Sequence, residues 1–95
     1  MKIRLERWVY SGLNAPNKHN VGIWREVDMA FVPPFGSNLP DGVIERMDVD
    51  YDSSVMILLN PDDTFCHNRI AQDYYDTDEF KDHIQEYLKN GWKKV

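Results

Sequence analysis

The sequence predicts an α+β domain: a four- to five-stranded, mainly antiparallel sheet or a partly open small barrel, with one C-terminal helix over about 77–90 packed on it. Three observations lead there. Short stretches in the first two thirds of the chain alternate apolar and polar residues, the period of a strand. Near the end, apolar residues fall at i, i+4, i+7 and i+8, the period of a helix. At 95 residues there is room for one domain, residues 1–95, and no interior linker divides it.

In residues 2–10, Ile3, Leu5 and Val9 face one way and Lys2, Arg4, Glu6, Trp8 and Tyr10 the other, with Arg7 alone among the apolar positions. This is the first strand. A polar loop, Ser11 to Asn20, follows. Ile23, Val27, Met29 and Phe31 then alternate with Trp24, Glu26, Asp28 and Ala30, a second strand that Pro33 and Pro34 stop because neither can donate to a sheet ladder. Trp8 and Trp24 are expected as cross-strand neighbours in that hairpin.

Three prolines and two glycines between Pro33 and Gly42 make a crossing loop, and Phe31, Phe35 and Leu39 about it are suited to plugging one end of the sheet. Val43, Met47, Val49 and Tyr51 form a third strand, and Asp52-Ser53-Ser54 turns the chain. Val55 to Leu59 is apolar at every position, as in a central strand covered on both faces. Asn60-Pro61-Asp62-Asp63 suits either a type I turn or a helix start. Phe80, Ile84, Tyr87 and Leu88 define the inner face of the closing helix, Asp76 with Glu79 resembles a capping box at its start, and Gly91 supplies a left-handed stop. Trp92 folds back, leaving Lys93 and Lys94 in water.

Composition narrows the function classes. The longest apolar run, Val55–Leu59, is far short of a membrane span, and the charged start Met1–Arg7 is unlike a secretory signal, so a soluble protein without a membrane partner is expected. One cysteine, Cys66, permits no intrachain disulfide and suits a reducing cytoplasm. The formal net charge of -5 is unevenly spread: residues 1–25 carry +4, whereas residues 41–82 carry -9. Most of the molecule would repel a phosphate backbone, which makes nucleic acid an unfavoured partner.

The acidic half is the leading candidate surface. Asp48, Asp50 and Asp52 share one face of a strand, about 7 Å apart. Asp76, Asp78 and Asp82 lead into and along the helix, where first-turn acids also suit the dipole. An EF-hand is excluded, because Ser53 and Leu59 stand where the calcium loop needs Gly and Glu. The expected function is therefore that of a small non-enzymatic binding protein, of inhibitor, immunity or phage-accessory type, docking a basic protein surface. The alternative is a nucleic-acid or nucleoprotein module using Arg4, Arg7, Trp8, Tyr10, Lys18, Trp24 and Arg25, with bases stacking on the aromatics. Cys66-His67, with His19 and His83, supplies the residues of a thiolate and its base, but nothing fixes an orienting group or an oxyanion site. No catalytic residue, metal ligand set or cofactor motif is assigned.

Overall fold

The computed structural model describes residues 2–50, 54–66 and 72–95. Strands β1 (Lys2–Val9), β2 (Val21–Asp28), β3 (Asn38–Leu39), β4 (Gly42–Val49) and β5 (Val55–Leu59) are followed by helix α1 (Asp78–Lys89) and a short β6 (Lys93–Lys94). They form one open, six-stranded mixed sheet in the order β3-β4-β5-β1-β2-β6. The α+β class and the single closing helix agree with the sequence. The sheet is not a barrel, and two strands of two residues each raise the expected number to six. Pairing is antiparallel except between β1 and β5, which run parallel from Ile3 opposite Val55 to Glu6 opposite Leu58.

The helix-side face of the sheet is apolar because alternate residues point to one side. Ile3, Leu5 and Val9 of β1, Ile23 of β2, Ile44 of β4 and Val55, Ile57 and Leu59 of β5 pack with Phe80, Ile84 and Trp92 into one buried core. Burying each such side chain stabilises by about 1.5–3 kcal/mol. The segment joining β2 to β3 packs on the same face, with Pro33 buried and Met29 and Val32 against the core, as is Leu39 of β3.

Several elements differ from expectation. β2 ends at Asp28, before the prolines, so Met29 packs as part of the crossing segment instead of the strand. Phe31 and Phe35 are 70% and 67% exposed and do not plug the sheet; Leu39 and Pro33 serve instead. Trp8 stands opposite Gly22 and Trp24 opposite Glu6, so the two indoles are diagonal neighbours. The inner positions of β5 are buried, whereas Met56 and Leu58 on its other face are half-exposed. Thr77, not Asp76, caps α1, accepting from the Phe80 amide at 3.3 Å. The expected stop is present at Gly91, whose φ of 94° a side chain would strain. Tyr51, Asp52, Ser53 and His67 lie outside the described residues.

Candidate functional site

Asp62 organises one end of the molecule. Its backbone adds a parallel bridge to the end of β1, accepting from the Tyr10 amide at 3.0 Å and donating to the Trp8 carbonyl at 2.8 Å. The segment is therefore neither of the two alternatives that Asn60-Pro61-Asp62-Asp63 suggests. The Asp62 side chain turns inward, only 9% exposed. Oδ1 accepts from the Thr64 amide and hydroxyl, starting the 3-10 turn Thr64–Cys66. Oδ2 accepts from the Tyr87 hydroxyl at 2.5 Å and meets His83 Nε2 at 2.7 Å. Burial pushes this carboxyl up, but the hydrogen bonds from Thr64, Tyr87 and His83 outweigh it and hold it at about 2. Burial and the Asp62 charge push the Tyr87 phenol up to about 12.

This network fixes the Thr64–Cys66 turn beside α1 and shapes a groove between them. Phe65 and His83 meet edge to face at 5.3 Å, forming an aromatic wall. Glu79, Asp82 and Glu86 of α1 line the same groove, with Lys89 at its end, 3.7 Å from Glu86. Asp78, Glu79 and Asp82 carry no ion pair among the described residues. An acidic rim on an aromatic wall can take the ammonium or guanidinium of a basic side chain, with its stem along Phe65.

The strand acids are differently placed. Asp48 lies on the open face of the sheet, opposite Met56, and pairs with Arg46 at 3.2 Å. Asp50 lines a depression with Lys2, Arg4 and Glu26. Thus Asp48 and Asp50 are interleaved with cations on the open face, while Asp76, Asp78 and Asp82 belong to the helix side. The structure does not gather the acidic half into one surface.

The basic, aromatic set also divides. Trp8 and Trp24 share the open face with Arg4, whose guanidinium lies 4.3 Å from the Trp24 ring centre, and with Lys93 at 5.2 Å. Trp8 is 45% exposed. Tyr10 lines a shallow pocket with Trp8, Asn17 and Asn20, and Lys18 is exposed on the 3-10 turn Asn17–His19. Arg7 and Arg25 face the helix side instead, because they share the parity of Leu5 and Ile23. Arg7 donates to the Asn60 carbonyl at 2.9 Å and to its side-chain oxygen at 3.0 Å. Arg25 pairs with Asp41 at 2.5 Å and lies over Trp92. Both arginines brace the fold and do not join Trp8 and Trp24.

Cys66 ends the turn beside Asp62 and Asp63. Burial and those two carboxylates push its thiol up, the reverse of what an activated nucleophile requires. Among the described residues no cluster of His, Cys, Asp and Glu has metal-binding geometry, and no helix is long and apolar enough to cross a membrane.

Sequence reasoning missed Asp62 as a hub because His83 and Tyr87, which tie it to α1, lie 21 and 25 positions away. One signal was available: His83 and Tyr87 stand four apart on α1 and so share a face, which a single acceptor can serve. Comparison with protein-family models, curated proteins and solved structures returns no match for this chain.

Proposed function

We propose that this is a small non-enzymatic binding protein that docks a basic protein surface, in the manner of an inhibitor or accessory protein, with its acidic helix face. The observation that carries the reading is the groove beside α1, where Glu79, Asp82 and Glu86 surround an aromatic wall of Phe65 and His83. A lysine or arginine from the partner enters this groove, and Asp76 and Asp78 extend the negative field around it. Such a field speeds encounter and makes binding salt-sensitive. Asp48 contributes less, since Arg46 already offsets its charge.

The test is affinity capture from the native host with wild-type protein and with a Glu79→Gln, Asp82→Asn, Glu86→Gln variant as bait, quantified by mass spectrometry. A basic protein is expected on the wild type, eluted by salt and reduced by about tenfold on the variant. Equal recovery on both baits overturns the reading.

A second reading rests on Trp8 and Trp24 beside Arg4 and Lys93, a surface suited to stacking single-stranded bases. Glu6, Glu26 and Asp48 on the same face oppose a phosphate backbone. Fluorescence titration with a mixed-sequence oligonucleotide at low salt separates the two: quenching that Trp8→Ala removes favours nucleic acid, and no response rejects it.

A further inference from the structure

The outer edge of β4 is open, whereas the opposite edge of the sheet carries the short β6 over Ile23 and Trp24 of β2. There, β6 presents Lys93 and Lys94, charges that discourage further pairing. On β4, β3 covers only Gly42 and Val43, and the Ile44 amide donates to the Ser37 carbonyl at 3.1 Å. Beyond that point no strand pairs with the outer edge of β4 among the described residues.

The hydrogen-bond directions along this edge follow from one contact and one bulge. Asp50 donates to the Ser54 carbonyl at 2.9 Å, so Asp50, Asp48 and Arg46 turn their main-chain groups toward β5. The bulge between Ile44 and Arg46 resets the alternation. Met47 and Val49 therefore point their amides and carbonyls outward. Val49 is also 66% exposed, an apolar side chain beside this edge.

We propose that this edge pairs with the same edge of a second copy of the chain, antiparallel about a twofold axis at Asp48. In this register Met47 faces Val49 of the second copy and Val49 faces its Met47, giving about four main-chain hydrogen bonds. Met47 and Val49 then meet across the interface on the helix-side face. On the open face Arg46 stands opposite Asp50 of the second copy, and the reverse pair repeats it. Ser37 closes the edge just beyond this span, which selects this register over one centred on Met47. Asp48 faces its own copy at the axis, each held by its own Arg46 at 3.2 Å.

Sedimentation equilibrium from micromolar to millimolar protein tests this pairing. A monomer–dimer equilibrium is expected. Met47→Pro removes an outward amide that makes no bond to β5, so the chain stays folded by circular dichroism and the dimer is lost. Arg46→Asp weakens association by about tenfold, and adding Asp50→Arg restores it. Asp48→Asn tightens it by relieving the charge pair at the axis. The charge-swap pair decides the matter even if Met47→Pro fails to fold. A monomer at millimolar concentration overturns the proposal, as does a dimer indifferent to Arg46→Asp and to its rescue. None of these outcomes depends on the groove beside α1.

Discussion

The Tyr87 hydroxyl reaches the Asp62 carboxylate at 2.5 Å, and that contact joins helix α1 to the segment bridged to the end of β1. The same carboxylate also receives His83 and Thr64, so one side chain links helix, turn and sheet. A buried charge with so many donors is stabilising only while it stays ionised.

Stability should therefore fall with acid at this site. The folded carboxyl sits at about 2 against 3.8 as its ordinary value, so its contribution is full above about pH 4 and is lost as pH falls toward 2. The magnitude is about 2 kcal/mol, from the size of the shift. Urea denaturation of wild type and Asp62→Asn between pH 2 and pH 7 measures it: the variant is expected to be less stable at neutral pH, with the gap narrowing in acid. A gap that stays constant across the range would show that the Asp62 charge is not the source.

How far the sequence reveals this protein depends on the range of the interaction concerned. Val55–Leu59 and the helix around Phe80 and Ile84 are legible because an unbroken apolar run and a helical apolar period are local signals. The parallel pairing of β1 with β5 is not, since it joins residues some fifty positions apart and antiparallel hairpins are the nearer solution. Arg7 illustrates the same limit for function. Its place on the apolar side of β1 is readable, but only Asn60, 53 residues away, reveals that it is a brace and not a phosphate contact. Acidic residues are equally legible as a run and illegible as a surface: the fold sends Asp48 and Asp82 to different sides.

Gly42→Ala should destabilise the fold by two separable routes. Gly42 has a φ of 148°, which a side chain disfavours, and an added Cβ would strike the Arg7 guanidinium and the Asn60 side-chain oxygen that it bonds. Together these cost about 2–3 kcal/mol. In an Arg7→Ala background the Cβ meets one obstacle fewer, so the cost of Gly42→Ala should shrink by about 1 kcal/mol while the backbone strain remains. Equal costs in both backgrounds, read from urea midpoints at unchanged slope, would place the effect in the backbone and the Asn60 oxygen and not in the Arg7 contact.

Cys66 should react slowly. Its thiol is pushed up by burial, then by Asp63 and Asp62, so at pH 7 to 8 less of it is thiolate than in a free cysteine. Iodoacetamide labelling followed by mass spectrometry is expected to give a rate below that of a small model thiol under the same conditions. Asp63→Asn removes one of the two opposing charges while leaving the Asp62 network in place, and should raise the rate. A wild-type rate faster than the model thiol would mean that something activates the sulfur despite its acidic neighbours, and would revive the cysteine-dependent chemistry that Cys66 and His67 suggest as a pair in the sequence.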